Sequence, residues 1–454
     1  MIVSLQHLPT AGRSDTASAK LEQQFTDLAP ALSNRQAKLE AQRCLYCYDA
    51  PCTRICPTEI DVAGFIRNIA HDNINGAAKV ILQQNIMGGS CSRVCPTEIL
   101  CEDACVRNHG AEKEPIKIGL LQRHALDNMS FASHPFERAA STGKRVAVVG
   151  AGPAGLSCAH QLAMLGHDVV VFEKQAKAGG LNEYGIAKYK LTNDFAQKEV
   201  EFLLQIGGIE IRHGMSLGSN LSLAQLQQEY AAVFLGLGLA TSRALGLTGE
   251  DAPGLLPAID YIAELRQTSD LSQLPVPPRA IVIGAGNTAI DMAVQIKRLG
   301  AQEVTLVYRR GTQEMSATWH EQEIARLNQV RIVTWAKPEQ IMLDNDGRVA
   351  GMRFEKTHLV GEKLQGTGEF FELAAEAVFK AIGQTMDASL AHDATGNTLT
   401  RAGDKIEVDA HYRTSLRGVY AGGDCISMGQ DLTVQAVQDG KLAARAIDQD
   451  LKGA

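Results

Sequence analysis

Eight of the ten cysteines of this chain lie in one stretch, and this stretch limits the possible folds more than any other feature. They form two groups of four: Cys44, Cys47, Cys52 and Cys56, followed by Cys91, Cys95, Cys101 and Cys105. The pentapeptide Cys-Pro-Thr-Glu-Ile occurs once in each group, at residues 56–60 and 95–99. The repetition indicates two related ligand-binding arms that fold against each other.

The spacing of the cysteines favours iron–sulfur clusters. Zinc sites usually join two short Cys-x2-Cys units into one tetrahedron, and here only Cys44 and Cys47 have that spacing. Disulfide frameworks are typical of small secreted domains, which this chain does not resemble. Runs with a Cys-Pro step are typical of two-cluster ferredoxins, in which the last cysteine of a run binds the other cluster. We therefore predict two [4Fe–4S] clusters, with zinc or inert thiols as the alternatives.

The same crossover rule suggests how the ligands are shared. One cluster is predicted to take Cys44, Cys47, Cys52 and Cys105. The other is predicted to take Cys56, Cys95 and Cys101. Its remaining ligand could be Cys91 or a residue other than cysteine, and the spacing alone leaves both open.

Composition narrows the class of protein. The 454 residues are enough for two to four domains, and 45% hydrophobic with 21% charged residues is ordinary for a globular protein. The net charge of −7 argues against nucleic acid as a partner. No apolar run is long enough to span a membrane, and residues 1–15 lack a signal-peptide pattern. Reduced thiols and clusters suggest the cytoplasm.

A dinucleotide-binding fingerprint follows the cysteine stretch. Residues 145–149 predict a buried strand, Gly150-x-Gly152-x-x-Gly155 a turn, residues 156–165 a helix, and residues 167–172 a second strand that ends at Glu173. The glycines allow the backbone to approach a pyrophosphate at the helix N-terminus, and the acid can accept hydrogen bonds from a ribose diol. The pattern predicts a Rossmann-like fold that binds a dinucleotide.

A second fingerprint predicts a second such fold. Residues 280–283 predict a strand, Gly284-Ala-Gly286-Asn287-Thr288-Ala289 a turn, residues 290–299 a helix, and residues 304–308 a strand. This strand ends in Arg309 and Arg310, where an acid would favour NAD, and arginine suits the 2′-phosphate of NADP. A solvent-exposed basic pair without a ligand is the alternative.

A third element near the C-terminus resembles part of a flavin site. Residues 418–424 predict a strand and a turn ending in Gly423 and Asp424, and residues 433–447 predict a helix that begins at Thr433. The turn and the helix N-terminus could face the ribityl chain and ring edge of a flavin.

Taken together, these motifs resemble the electron-input half of the dihydropyrimidine dehydrogenase family, particularly the small NAD(P)H-oxidising subunit of its bacterial two-subunit form. The resemblance runs from about Cys44 to the end of the chain. It is carried by residues 44–47, 49–52, 56–58, 75–79, 94–97 and 115–122. The small subunit of glutamate synthase shares the outline and is the runner-up.

The resemblance implies particular site residues. The eighth cluster ligand would be the amide of Gln122, which would leave Cys91 free and alter the cluster potential. FAD would lie in the first fold and the nicotinamide dinucleotide in the second, with NAD or NADP left open. The residues implied near the cofactors are Val94, Gly150, Gly152, Pro153, Ala154, Gly155, Leu156, Glu173, Gly180, Leu181, Lys190, Leu217, Gly284, Gly286, Asn287, Thr288, Arg309, Arg310, Gly423, Asp424 and Thr433.

The family also implies an architecture and a reaction. The expected fold class is α/β: a helical double-cluster domain (1–140), an FAD domain (141–245 and 385–454), and an NAD(P) domain (246–384) inserted into it. NAD(P)H would reduce the flavin, and electrons would pass through the clusters to a partner that carries FMN and reduces uracil or thymine, reversibly. No side chain is predicted to be catalytic. Input of electrons to another acceptor and a zinc-stabilised scaffold are the competing hypotheses.

Overall fold

The computed structural model describes residues 8, 18–239, 241–386 and 398–453. The chain divides into two compact units. One consists of residues 28–183, 193–240 and 386–454, and is called the cluster unit here because it contains both groups of cysteines. The other consists of residues 1–27, 184–192 and 241–385, and is called the second-fold unit because it contains the second fingerprint.

The helices are numbered along the chain. They are α1 (Ser18–Gln24), α2 (Asn34–Gln42), α3 (Pro51–Ile55), α4 (Val62–Ala70), α5 (Ile74–Gln84), α6 (Gly88–Val94), α7 (Ile118–Asp127), α8 (Pro153–Met164), α9 (Leu181–Tyr184), α10 (Phe195–Leu204), α11 (Leu223–Glu229), α12 (Ala258–Gln267), α13 (Asn287–Arg298), α14 (Trp319–Leu327) and α15 (Thr433–Lys452).

The strands are numbered in the same way. They are β1 (Arg145–Val149), β2 (Asp168–Glu173), β3 (Ile209–His213), β4 (Ala232–Leu235), β5 (Thr241–Ser242), β6 (Leu255–Pro257), β7 (Arg279–Gly284), β8 (Glu303–Val307), β9 (Arg331–Val333), β10 (Ala336–Leu343), β11 (Val349–Val360), β12 (Lys363–Ala374), β13 (Ala377–Ala381), β14 (Gln384–Thr385), β15 (Arg401–Ala402), β16 (Lys405–Ile406) and β17 (Val419–Ala421).

The helices of the cysteine region begin where side chains cap them. The carboxylate of Asp61 accepts a hydrogen bond from the amide of Gly64 at 2.9 Å, and Asn73 accepts one from Gly76 at 3.0 Å. These caps satisfy amide groups that have no partner within the helix. The sequence pattern predicts helices over residues 64–70 and 77–84, and because of these caps the helices start two and three residues earlier, at 62 and 74.

The first nucleotide fold contains a parallel five-stranded sheet in the order β17-β4-β1-β2-β3. Helices α8 and α15 pack against each other beside it. Its last strand, β17, comes from residues that follow the whole second sheet in sequence. The prediction that the second nucleotide fold is inserted into the first is therefore confirmed.

The cysteine-bearing helices and the first sheet share one hydrophobic core. Ile66, Ile81 and Leu121 from the helices belong to the same buried cluster as Val148 and Phe234 from the sheet. This continuity explains why residues on both sides of position 140 fall in one compact unit. The boundaries proposed for the three domains stay predictions.

The second-fold unit has a parallel sheet in the order β6-β13-β7-β8-β9. A separate antiparallel sheet, β10-β11-β12, lies between β9 and β13 in the chain. The pair β5–β14 lies in this unit and the pair β15–β16 in the cluster unit. The polar, irregular sequence of residues 1 to about 30 predicts a loose arm or a short helix; the described part of this stretch, residues 8 and 18–30, contains the short helix α1. Within the described ranges, no helix combines the length and the hydropathy needed to cross a lipid bilayer.

Candidate redox sites

The first cysteine cavity is lined by the four thiols that the crossover rule groups together. Cys44 and Cys47 follow α2, Cys52 lies in the first turn of α3, and Cys105 precedes a short 3₁₀ turn. The cavity encloses about 400 Å³, part of which is open to solvent. The structure thus brings together cysteines that are up to 61 positions apart in sequence (105 − 44 = 61).

The electrostatics of this cavity suit a shared cation. Burial raises the pKa of the Cys44 thiol, and it raises the pKa of Cys52 to about 11; the neighbouring sulfur of Cys105 acts in the same direction on both. Closely spaced thiolates repel one another, and bound metal removes that penalty because it withdraws their protons. Four convergent thiols therefore fit an iron–sulfur cluster.

The second cavity gathers the remaining predicted ligands. It has an empty volume of about 430 Å³, part of which is open to solvent, and its lining includes Cys56, Cys91, Cys95, Cys101 and Gln122. Cys56 follows α3, Cys95 follows α6, and Gln122 lies within α7. Burial raises the pKa of both Cys95 and Cys101 well above its usual value. The two groups predicted from spacing thus line two separate cavities.

The geometry of Gln122 and Asn85 fits a metal–sulfide group in this second cavity. The Gln122 Nε2 donates to the carbonyl oxygen of Gly88 at 2.7 Å, which leaves the amide oxygen for another partner. Asn85 is fully buried, and its Oδ1 accepts a hydrogen bond from Met87 N at 3.0 Å. Asn85 is one of the residues that line the cavity; its Nδ2 makes no hydrogen bond of normal geometry within the described residues, although its amide acts on the nearby thiol of Cys91. A buried donor of this kind would be satisfied by a sulfide or thiolate.

Cys91 lines the same cavity and is 2% exposed. Burial raises the pKa of its thiol strongly, the amide of Asn85 opposes that shift, and the charges of Glu199 and Cys56 add to it. A buried, protonated thiol behaves as a small apolar residue. Burial raises the pKa of the predicted ligands Cys95 and Cys101 in the same way, so the choice of Gln122 as the eighth ligand rests on the family resemblance and is carried forward as a proposal.

A buried lysine lies beside the second group of ligands. The ammonium of Lys441, on α15, donates to Thr58 O at 3.2 Å, to Gln84 O at 2.8 Å and to Gln84 Oε1 at 3.1 Å. Burial lowers its pKa to about 8, although the negative charges of Glu59 and Cys56 oppose that shift. The first turn of the same helix contributes Val434 to the cavity lining. Helix α15 therefore links the first nucleotide fold to the second cavity.

A buried carboxylate fixes α6 from the opposite side. Glu199, on α10, accepts hydrogen bonds from the backbone amide of Ser90 at 2.9 Å and from the Ser90 hydroxyl. Burial raises the pKa of Glu199 to about 7, while the Ser90 bonds and Arg93 oppose that shift. Because α6 carries Cys91 and precedes Cys95, this contact positions one wall of the second cavity.

Sequence reasoning missed Asn85, Glu199 and Lys441. A signal existed only for Lys441, which lies on the same face of its helix as Val434 and Val437, an apolar face where a charge is unusual. Asn85 and Glu199 become recognisable only when α5, α6 and α10 meet.

The turn of the first fingerprint requires its glycines. A Cβ on Gly155 would lie 1.8 Å from the carbonyl oxygen of Gly150, and one on Gly180 would lie 2.6 Å from the Cα of Gly152. The carboxylate of Glu173 accepts hydrogen bonds from Ala151 N at 2.7 Å and from Gln175 N at 2.8 Å. These bonds hold it at the end of β2, above the turn. The arrangement fits a dinucleotide at the N-terminus of α8.

The C-terminal element meets this turn. A Cβ on Gly423 would lie 2.9 Å from the Cβ of Ala154, and the Thr433 hydroxyl lies 3.4 Å from Asn182 Oδ1, next to Leu181. Burial and the negative charges of Asp431 and Asp439 raise the pKa of Asp424 to about 6, against the opposing charge of Lys405. Pro153 and Leu156 lie in α8, and Leu217 is buried elsewhere in the same unit.

The second fingerprint has the corresponding geometry. A Cβ on Gly284 would lie 2.2 Å from the carbonyl oxygen of Ala381, and Gly286 caps α13, whose first residues are Asn287 and Thr288. Asn287 Oδ1 is buried without a partner in the described part of the chain. This orphaned acceptor at a helix N-terminus fits a nucleotide. Arg309 is exposed and Arg310 half-buried at the end of β8.

Two further predicted residues lie outside the fingerprint turns. Lys190 falls in the second-fold unit, where its ammonium contacts Asp291 Oδ1 at 2.7 Å and Glu321 Oε1 at 2.6 Å. Burial opposes the charge, but the two carboxylates raise the pKa of Lys190 overall. Val94 is the half-buried last residue of α6. The role of each beside a cofactor stays a proposal.

The fold and the sites define a flavoprotein oxidoreductase that joins two dinucleotide-binding folds to an iron–sulfur region. Residues 144–440 match the pyridine nucleotide–disulphide oxidoreductase family, and residues 21–133 match the 4Fe-4S cluster domain II of dihydropyrimidine dehydrogenase. The chain belongs to the family of the NAD-dependent dihydropyrimidine dehydrogenase subunit PreT. These families confirm the predicted types of cofactor, which are FAD, NAD(P)H and [4Fe–4S] clusters.

Two curated relatives carry that name. The PreT subunit of Salmonella typhimurium is 34% identical over 438 residues, covering 95% of this chain and 99% of the relative. The PreT subunit of Escherichia coli K12 is 34% identical over 437 residues, with the same coverage. The matches extend through both fingerprints and the cysteine stretch. The resemblance inferred from the sequence is therefore confirmed.

Solved structures confirm the fold of the nucleotide-binding part. Mycobacterium tuberculosis FprA in complex with NADPH superposes with a TM-score of 0.58 at 19% identity, covering 68% of this chain and 85% of that one. Thioredoxin reductase of T. acidophilum gives a TM-score of 0.54 at 22% identity, covering 68% and 99%. At these identities, the likeness concerns the fold alone.

Proposed function

We propose that this chain is the electron-input subunit of a dihydropyrimidine dehydrogenase. It would oxidise NAD(P)H at FAD and pass the electrons through two [4Fe–4S] clusters to a partner subunit that contains FMN and reduces uracil or thymine to the 5,6-dihydropyrimidine, reversibly. One observation carries the proposal. A single chain has two cavities, each lined by at least four candidate ligands, together with two dinucleotide-binding turns. The name of the 34% identical relatives supports it.

Each predicted residue has a definite part in this proposal. The turn from Gly150 to Gly155 would hold the FAD pyrophosphate, and Glu173 the adjoining ribose. Residues 284–288 would hold the pyridine dinucleotide in the same way. When bound, the flavin accepts a hydride and the clusters carry electrons singly. The chain itself binds these groups, excludes water and sets the local charge.

The ligand sets follow from the two cavities. The first cluster would be held by Cys44, Cys47, Cys52 and Cys105, and the second by Cys56, Cys95, Cys101 and Gln122. An amide oxygen is a weaker donor than a thiolate, so the second cluster would have a different potential from the first. The buried amide of Asn85 and the ammonium of Lys441 would stabilise negative charge on the second cluster.

A partner subunit and a cytoplasmic location complete the proposal. A pyrimidine site would belong to the partner, because the chain's two dinucleotide folds are assigned to FAD and NAD(P)H. The relatives are named as NAD-dependent subunits, which supports NADH as the reductant here. Oxygen-sensitive clusters and reduced thiols support the cytoplasm.

The decisive experiment is anaerobic co-expression with a candidate FMN-containing partner. The purified chain should contain FAD and about eight irons and eight sulfides. The complex should oxidise NADH or NADPH when uracil is added, and it should reduce the oxidised dinucleotide when dihydrouracil is added. Glutamate formation from glutamine and 2-oxoglutarate would instead assign the chain to glutamate synthase. A preparation without iron, sulfide and flavin would refute the proposal.

A further inference from the structure

Trp335 adopts a backbone conformation that bulky residues avoid. Its φ is +57°, in the left-handed region, and it lies two residues after the end of β9. Such conformations are energetically unfavourable for a bulky residue and persist where the surrounding structure enforces them, often at ligand sites. The left-handed conformation of Trp335 therefore needs an explanation other than its place in the loop after β9.

Backbone hydrogen bonds enforce the conformation. The amide of Trp335 donates to Arg310 O at 3.0 Å, and its carbonyl oxygen accepts from Thr357 N at 2.9 Å. Arg310 follows β8, which pairs in parallel with β9. Trp335 and the arginine pair thus lie at the carboxyl ends of neighbouring parallel strands, the edge where such sheets bind ligands.

The indole ring lies directly over a glycine. A Cβ on Gly311 would lie 2.7 Å from Cζ2 of Trp335, and equally 2.7 Å from Oε2 of Glu314. Any other residue at 311 would push the ring away. An aromatic face beside a carboxylate suits a flat, neutral ring that carries an amino donor, and it disfavours a phosphate group.

Unsatisfied polar atoms occur near this ring and at the fingerprint turn. The Nε of Arg310 is buried and has no hydrogen-bond partner within the described residues, and the same holds for Asn287 Oδ1. Partners for these atoms are what a bound nucleotide would provide.

From this arrangement we propose that the indole of Trp335 is the stacking surface for the adenine ring of the pyridine dinucleotide. The inference rests on the proposed function, because it takes the second fold as the site of NAD(P)H. Trp335 is a positioning residue: it contacts the end of the substrate remote from the nicotinamide and takes no part in hydride transfer.

The tryptophan content of the chain makes a direct test possible. The two tryptophans are Trp319 and Trp335, and Trp319 is 60% exposed. In the full-length holoprotein carrying Trp319→Phe, tryptophan emission reports on Trp335 alone. ADP-ribose, which contains adenine but no nicotinamide, should quench that emission saturably. Nicotinamide mononucleotide, which lacks adenine, should leave it unchanged.

Calorimetry with variants adds a second measurement. We expect Trp335→Leu to weaken ADP-ribose binding by about fivefold or more, because base–aromatic stacking is lost, and Trp335→Phe to retain most of the affinity. Flavin content and circular dichroism would confirm folding, and the emission titration does not depend on either variant.

The possible outcomes separate the two proposals. If ADP-ribose binds by calorimetry but neither changes the emission of Trp335 nor binds more weakly to Trp335→Leu, the stacking proposal is wrong and the proposed function stands. If ADP-ribose, NAD+ and NADP+ all fail to bind the holoprotein, both proposals are wrong.

Discussion

The two cysteine cavities have matching numbers of predicted ligands but different surroundings. The first is lined by residues of the segment 44–52, by α4 and by residues between 105 and 118, and Leu45 and Tyr48 in the segment 44–52 are 57% and 106% exposed. The second is built from α6, α7 and the start of α15, with the buried polar groups of Asn85 and Lys441 around it. The comparison shows that ligand number can be read from the sequence, whereas the environment that sets cluster stability and potential depends on helices distant in the chain.

The largest effect should come from removing one ligand in each cavity. Cys101→Ser should abolish the second cluster and Cys47→Ser the first, so each variant should retain about four of the eight irons. Cys101→Ser should also lower the free energy of unfolding, because Cys101 packs against the shared core. Iron analysis, electron paramagnetic resonance and anaerobic denaturation measure these effects. Loss of all eight irons in both variants would contradict two independent sites.

The next effect distinguishes the two candidates for the eighth ligand. If Gln122 binds the second cluster, Gln122→Ala should reduce the iron content or change the resonance of that cluster. Cys91→Ala is the matched control and should keep about eight irons, because a buried thiol without a ligand role only packs. The opposite result would assign Cys91 as the ligand and overturn the choice of Gln122.

A pH-dependent effect should appear at the wall of the second cavity alone. Burial raises the folded pKa of Glu199 to about 7 from the ordinary 4.5. The stabilisation of the folded state by the protonated acid is thus complete below pH 4.5 and is lost as the pH rises through about 7, an effect of up to roughly 3 kcal/mol. Glu199→Gln should flatten the dependence of the free energy of unfolding on pH.

Glu201→Gln, at an exposed position on the same helix, is the control for that measurement. It should leave the pH profile as it is in the parent protein. Equal profiles for the parent and for Glu199→Gln between pH 4.5 and about 7 would show that the carboxylate is already ionised in the folded state.

The smallest effect concerns the potential of the second cluster. Lys441→Met removes a positive charge near Cys56, so the reduced cluster loses a favourable interaction of about 1–2 kcal/mol, and its potential should fall by roughly 40–90 mV. The first cluster should keep its potential. Redox titration monitored by electron paramagnetic resonance checks both. The exposed Lys452→Met on the same helix is the control. Equal shifts in both clusters would mean that the charge acts globally.

Much of the fold could be predicted because its signals are local. Strands β1, β2, β7 and β8 lie within two residues of their predictions, since short apolar runs bounded by glycine turns leave few alternatives. Helix starts were less accurate: α5 begins at Ile74 and not Ala77, because the cap by Asn73 decides the first turn. The apolar positions 116, 118, 120 and 121 predict a helix over residues 115–126, whereas α7 begins three residues later, at Ile118.

The cluster ligands were predictable for the same reason, because closely spaced cysteines in a short segment indicate metal binding without knowledge of the fold. The partners of those thiols were not. Glu199 meets Ser90 across 109 residues, and Lys441 reaches Gln84 across 357. No periodicity within either segment indicates such a pairing. The merging of the cysteine helices with the first sheet into one core was equally hidden, because hydrophobic packing is not directional.

The sequence by itself therefore determined the kinds of groups this protein binds: two cysteine-held clusters and two dinucleotides, through residues whose spacing forms each turn or ligand run. Only the tertiary structure decided the surroundings, namely a buried amide and ammonium at one cavity, an exposed rim at the other, and an indole beside the arginine pair. The physical reason is that local geometry depends on neighbours along the chain. Burial and charge depend on which distant side chains the fold brings into contact.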